Sequence, residues 1–379
     1  MISKHTCYKI TIIFSMLVLL FGGCDKKTPI KIGFVGGLTG GLAHLGTAGR
    51  NGVLLAIEER NKVNGIKGRK IEFISKDDKQ NATQAIKADK ELIEIGVDAI
   101  IGHMTSTMSI EVISIINQAK VLMISPTSST DKLSGLDDYF IRMVEPHKSM
   151  TLRLAQFAVK QKKLKKFAIV YDTANIEFSE SVRDDFKTEF KKYGGEIVAV
   201  KGFKANSDIN YISMVESLLR AKPDGVLIIA GALDTAMICQ HVRLKGSKIQ
   251  IMTNGWAGSN ELIQHGGPAT DGVVFANFYD KNNKNIAYLD FKKRFNNRFS
   301  VDPNFAAVYA YEAVQVLFTA LLENEDSTQL KKTILKQSEY EGLQGNFVFN
   351  KYGDPAREIF IITIKNGKVE TSKLLSYEN

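Results

Sequence analysis

The sequence has little of what disulfide-stapled, zinc-bound or nucleophile-driven proteins depend on. Its three cysteines in 379 residues make no disulfide framework. Cys7 and Cys24 sit within or at the end of an N-terminal apolar stretch, and Cys239 stands alone in "LDTAMICQHVRL", on the apolar side of a helical pattern. That setting suits a buried structural thiol better than a reactive one. Beyond the N-terminal stretch the histidines (His44, His103, His147, His241, His265) are scattered, with no His-x-x-x-His pair to grip zinc. There is no Gly-x-Ser-x-Gly nucleophile elbow, and "GGLTGG" lacks both the lysine of a phosphate loop and the spacing of a dinucleotide fingerprint. The acidic pair Asp77-Asp78 reads as a solvated strand end, because adjacent carboxylates make a poor metal cage without further ligands. No enzyme, cofactor or metal is expected from this inventory.

The N-terminus is set apart by composition. "MISKHTCYKITIIFSMLVLLFGGC" carries Lys4 and Lys9, then an apolar stretch from Ile10 to Phe21 in which Thr11 and Ser15 are the only hydroxyls. This is the pattern of a secretory signal peptide over residues 1–23, too short to span a bilayer well. Gly22 and Gly23 before Cys24 resemble a bacterial lipobox, with Phe21 where Leu is usual. Cys24 is then the lipidation site and residues 24–29 the tether. Several acyl chains would hold it firmly, each buried methylene adding roughly 0.8 kcal/mol. The expected location is the periplasmic or extracellular face of a bacterial cytoplasmic membrane. Loss of residues 1–23 lowers the formal charge from +9 to +7. The one dense basic run, "KQKKLKK" (Lys160 to Lys166), ends a helical pattern, where cations complement the dipole. No nucleic-acid partner is expected.

The remaining chain is too long for one core, so two lobes are expected. From "IKIGFVGGL" to "VLMIS", apolar strands alternate with helical segments such as "ATQAIKADKELIEIG", capped by Asn81 and stopped at Gly96. The alternation starts again at "KFAIVYD" and runs over residues 166–278. Strands apolar throughout and separated by helices mean parallel sheets covered on both faces. The fold class is therefore α/β, two doubly wound lobes. Two amphipathic helical segments follow, and "EIFIITIKNGKVE" holds the hairpin signal Asn366-Gly367. Crossings between lobes near "VEPHKS", "ANFYDK" and "FNKYGD" make a three-segment hinge, with Pro146 and Gly353 setting its bends. Residues 30–146 plus 280–350 form lobe one, and residues 147–279 plus 351–379 form lobe two.

In open parallel sheets ligands bind beyond the carboxyl ends of the strands. "GHMTSTMS" and "SPTSST" place Ser106 and Ser129 just past two such ends, where hydroxyls and helix N–H groups can hold a carboxylate. The same hydroxyls can equally cap a helix and form a polar turn, with no ligand involved.

The stretches "KIGFVGGLTGGLAHLGTAGRNGVLLAIEERNKVNGIKGRKIEFISKDDKQ", "AIIGHMTSTMS", "VLMISPTSSTDKL" and "VYAYEAVQVL" resemble the leucine/isoleucine/valine-binding group of ABC-transporter substrate-binding proteins, of the type I periplasmic-binding fold. The resemblance runs from about Ile30 to the C-terminus. It implies that Ser106 and the Ser129 hydroxyl hold the ligand's carboxylate, that the Thr127 carbonyl takes an ammonium, and that Leu45 lines the same cleft. It also implies a monomer that closes on its ligand by hinge motion and delivers it to a membrane ABC permease. Lobe two departs from the pattern. Phe178 stands where a Tyr is usual, Ala232 and Leu233 replace a second aromatic, and the acid that pairs with an ammonium is missing near Gly255. Asp234 or Asp172 are the neighbouring substitutes. The expected ligand is a small carboxylate or amino-acid-like molecule with an apolar body against Phe178 and Trp256, although Trp256 also suits a core or hinge position. The same fold serves ligand sensors read by a membrane receptor or kinase, which is the alternative reading.

Overall fold

The apolar runs assemble into two parallel sheets in a computed structural model that describes residues 27–205 and 207–373. The expected signal peptide and the expected lipidation site Cys24 lie outside the described residues. Strands β1 (Ile30–Gly36), β2 (Ile71–Asp77), β3 (Ala99–Ile101), β4 (Leu122–Ser125) and β5 (Phe140–Arg142) form the first sheet, parallel throughout in the order β2-β1-β3-β4-β5. Both β3 and β4 are buried along their whole length, as helices on both faces of a sheet require.

Strands β6 (Lys166–Asp172), β7 (Glu196–Phe203), β8 (Gly225–Ile229), β9 (Gln250–Thr253) and β10 (Val274–Asn277) repeat the winding as β7-β6-β8-β9-β10. A small antiparallel sheet of β11 (Glu339–Tyr340), β12 (Phe347–Phe349) and β13 (Pro355–Ala356) precedes β14 (Phe360–Lys365) and β15 (Lys368–Lys373). These last two extend the second sheet antiparallel to β10.

Local signals act where they were read. The Asn81 side chain accepts from the Gln84 N–H, and Gly96, at φ 73°, closes the helix Ala82–Ile95. Asn366 and Gly367, both at positive φ, turn β14 directly into β15. The helix Phe305–Glu323 is long and apolar enough to cross a membrane by composition, but it is a core helix, with 83% of that window buried. It packs along the helix Ala43–Lys62, where a Cβ on Gly52 would lie 2.3 Å from the Ala307 carbonyl oxygen. Cys239 is buried, and burial pushes its thiol up to about 12, as befits a structural residue.

The chain crosses between the sheets after β5, after β10 and after β13. Buried ion pairs secure the first and third of these crossings. The Arg142 guanidinium, wholly buried at the end of β5, donates to Asp354 Oδ1 at 2.7 Å and to the Thr130 carbonyl at 2.7 Å. Arg357, past β13, pairs with Glu312 at 2.6 Å on the core helix. Gly353, at φ 98°, packs so closely on Ile141 that a Cβ would sit 2.4 Å away, so this bend requires glycine.

One expectation is corrected. Asp78 is not solvated but wholly buried, 2.8 Å from Nδ1 of His103, whose Nε2 lies 3.2 Å from Asp89. Burial opposes a charge on this imidazole, yet Asp89 and Asp78 outweigh it and hold the pKa up at about 10. With both ring nitrogens facing carboxylates, His103 is an imidazolium that ties β2 and the following helix to the end of β3. Asp78 is thus an internal anchor whose partner is remote in sequence, while Asp77 stays half-buried and accepts from the Leu38 N–H and the Thr39 hydroxyl.

Candidate ligand site

The two hydroxyl clusters follow β3 and β4, and most of their members knit loop to loop. Ser109 and Ser128 share a 2.7 Å hydrogen bond, Ser125 donates to the His103 carbonyl, and the Thr127 hydroxyl donates to the Met104 carbonyl. Ser106 opens the helix Ser106–Ala119 but caps none of it. Its Oγ accepts from the backbone N–H groups of Ser129 and Thr130, each at 3.2 Å. A hydroxyl has two acceptor lone pairs and one proton. Both lone pairs are occupied, so the Ser106 hydroxyl can only donate.

Ser106, Thr127, Ser129 and Leu45 from the first lobe share one cavity with Phe178 and Trp256 from the second. Its other walls include Met104, Met150, His147, Asn175, Phe305 and Tyr309. The aromatic side is continuous: His147 meets Phe178 edge-on at 5.6 Å, and Phe178 meets Trp256 edge-on at 5.9 Å. Trp256 is thus a cavity residue. Two buried donors there, Trp256 Nε1 and the Tyr309 hydroxyl, hydrogen-bond to nothing among the described residues.

Among the described residues, no Asp, Glu, Lys or Arg lines this cavity. Neither acid considered as a substitute reaches it. Asp234 accepts from the Tyr211 hydroxyl, and Asp172 accepts from the backbone N–H groups of Ala174 and Ala205. Burial raises both carboxyls, that of Asp172 to about 6. Ala232 is buried outside the cavity, and Leu233 points to solvent, so the missing second aromatic leaves no hydrophobic stand-in there.

The two lobes touch across the cleft. Asn175 Oδ1 accepts from the Thr107 N–H and hydroxyl, Thr107 Oγ1 accepts from the Glu177 N–H, and Lys132 pairs with Glu177. Sequence reasoning missed His147, Asn175 and Tyr309. His147 follows the expected crossing at Pro146, which was a usable signal; Asn175 and Tyr309 sit in a polar loop and an apolar helix that give none.

The periplasmic binding protein profile matches residues 29–368. The chain belongs to the periplasmic binding protein family. A relative from Pseudomonas aeruginosa, named leucine-, isoleucine-, valine-, threonine- and alanine-binding protein, is 24% identical over 330 residues, covering 86% of this chain and 87% of the relative. The solved structure of a leucine binding protein from Thermotoga maritima superposes with a TM-score of 0.83 at 24% identity, covering 90% of this chain and 97% of that one. A solute binding protein from R. palustris in complex with benzoate gives a TM-score of 0.82 at 20% identity, covering 91% and 96%. Periplasmic binding proteins capture solutes for transport outside the cytoplasm and are not enzymes. The two repeated sheets, the three crossings and the cleft between the lobes are the type I form of that fold.

Proposed function

We propose that this periplasmic binding protein captures a carboxylate with an apolar, aromatic or branched, body and no ammonium group, and passes it to an ABC permease while tethered through Cys24. The lobes meet at 146/147 and 279/280, the third crossing lies past β13 rather than at 350/351 because β13 pairs with β12, and the protein acts as a monomer. The observation that carries the ligand class is the chemistry of the cavity wall. Ser106 can only donate, Trp256 Nε1 is a donor without a partner, and no side-chain carboxylate is present. Ser106 and Ser129 take the carboxylate, and Phe178, Trp256 and Leu45 enclose the body. An ammonium would meet the single Thr127 carbonyl and no acid, which leaves a buried charge poorly compensated. The amino-acid reading of the Thr127 position is therefore the weaker one for this chain, and the benzoate bound by the R. palustris protein is the closer chemical precedent.

The test is a melting-temperature and calorimetric comparison of leucine, 4-methylpentanoate and benzoate on the purified protein. Binding to the native state raises its melting temperature by mass action. The acids lacking an ammonium should bind and leucine should bind weakly or not at all. If leucine binds more tightly than both, the proposal is wrong. Binding of neutral polyols but no carboxylate would remove the Ser106/Ser129 clamp altogether.

A further inference from the structure

Beside the cavity, on its hinge side, three side chains from distant parts of the sequence come together. Asp131 lies on the first-lobe loop after β4, His147 on the first crossing, and Asp185 on the second-lobe helix Ile176–Lys192. One donor atom from each lies within 4.8 Å of the other two. We infer that Asp131, His147 and Asp185 form a binding site for a first-row divalent cation such as Zn2+ or Mn2+, completed only when the two lobes close.

Three observations support it. His147 is 1% exposed, and its Nε2 and Asp185 Oδ2 are 3.2 Å apart, yet neither makes a hydrogen bond. The atoms are close, but no hydrogen bond joins them. Two ligands of one metal, each about 2.1 Å from it, stand roughly 3.0–3.4 Å apart at octahedral or tetrahedral angles. The observed spacing falls in that range.

The second observation is the other ring nitrogen. His147 Nδ1 lies 2.8 Å from the Ser129 carbonyl oxygen, an acceptor, so Nδ1 is the donor and Nε2 is the ring nitrogen left to bind a metal. Metal-binding histidines are usually oriented in this way, by an N–H donated to a carbonyl or carboxylate.

The third is charge. Among the described residues no lysine or arginine forms an ion pair with Asp131 or Asp185. The nearby Arg142 is engaged by Asp354. One imidazole and two carboxylates suit Zn2+ or Mn2+ better than the all-oxygen preference of Ca2+. Asp131 is partly exposed, so its side chain can turn to close the remaining distance.

Such an ion would join Asp131 of one lobe to Asp185 of the other and would therefore favour closure. Because closure also encloses the solute, metal and solute binding would be reciprocally coupled. The ion also adjoins the solute clamp, since His147 is held by the Ser129 carbonyl.

Calorimetric titration of the purified, untagged, chelator-stripped protein with Zn2+ or Mn2+ alone tests the site, and needs no solute. One ion per chain is expected, with a more compact chain by small-angle scattering when it binds. Asp185→Asn and Asp131→Asn should each weaken binding at least about tenfold. If the unaltered protein binds neither ion stoichiometrically, the site does not exist. Unchanged affinity in both variants would place the ion elsewhere and leave His147 and Asp185 as an ordinary polar contact. Failure here leaves the carboxylate proposal untouched, because the assay contains none.

Discussion

Asn175 Oδ1, in the second lobe, accepts from the backbone N–H of Thr107 in the first turn of a first-lobe helix, at 3.3 Å. Thr105, the residue in the capping position of that helix, makes no side-chain cap bond. The helix therefore receives its cap from the opposite lobe, and only when the cleft is shut.

Replacing this cap should act on closure rather than on folding. Asn175→Ala removes a capping acceptor worth about 1 kcal/mol. Bound benzoate, or whichever acid binds, should dissociate several-fold faster, with little change in association. Stopped-flow measurement of both rates checks this; an unchanged dissociation rate would mean that the contact does not hold the closed state.

Ser106 has a more direct role in the proposed clamp. Ser106→Ala removes the donated proton and leaves the Ser129 and Thr130 N–H groups without their shared acceptor. A hydrogen bond to a charged group contributes about 1.5–3 kcal/mol. Calorimetry should show carboxylate affinity falling by roughly that amount. If affinity does not move, Ser106 serves only to join the two loops.

The hinge side should be sensitive to loss of charge pairing. In Arg142→Met the Asp354 carboxylate loses its guanidinium and the Thr130 carbonyl loses a donor. Removing one member of a buried pair costs about 3–5 kcal/mol. Urea unfolding should show a fall of that order. A loss below about 1 kcal/mol, as for an exposed pair, would indicate that water reaches this pair.

His103 gives the protein an alkaline weakness. Its pKa is raised in the folded protein from an ordinary 6.5 to about 10. Its contribution is therefore complete below the unfolded value and is lost as pH rises through the folded one. The urea midpoint should decline between pH 7 and pH 10. His103→Gln should be far less stable at neutral pH, since Asp78 and Asp89 lose their counter-charge, and should lack this part of the decline. A midpoint independent of pH across that range would contradict the buried imidazolium.

What the sequence disclosed follows the range over which its signals act. Asn81, Gly96 and Asn366-Gly367 work through bonds to near neighbours, so helix ends and a hairpin could be placed from a few residues. Two rounds of strand and helix made two lobes legible, because a covered parallel sheet needs unbroken apolar strands. Ser106 and Ser129 were read from their place past two strand ends, Thr127, Leu45 and Phe178 from the resemblance, and Trp256 from its place beside Gly255, and the structure places all six on one cavity. Partners far apart in sequence were hidden. Asp78 looked solvated because His103 lies beyond an intervening helix, and Asp131, His147 and Asp185 share no spacing rule. The specificity of lobe two was legible only as a missing acid. That neither Asp172 nor Asp234 supplies it depends on hydrogen bonds to Ala174, Ala205 and Tyr211 that only folding creates.

The wall position of Trp256 has a practical side. It is the sole tryptophan of the chain, and it lies against Phe178 in the cavity with its indole N–H unpaired. Its emission is thus an optical signal from the cleft, free of background from other indoles. A solute that engages Nε1 changes the surroundings of the one fluorophore that reports selectively in this protein. Unknown solutes can therefore be screened on the unlabelled, unaltered protein by light alone.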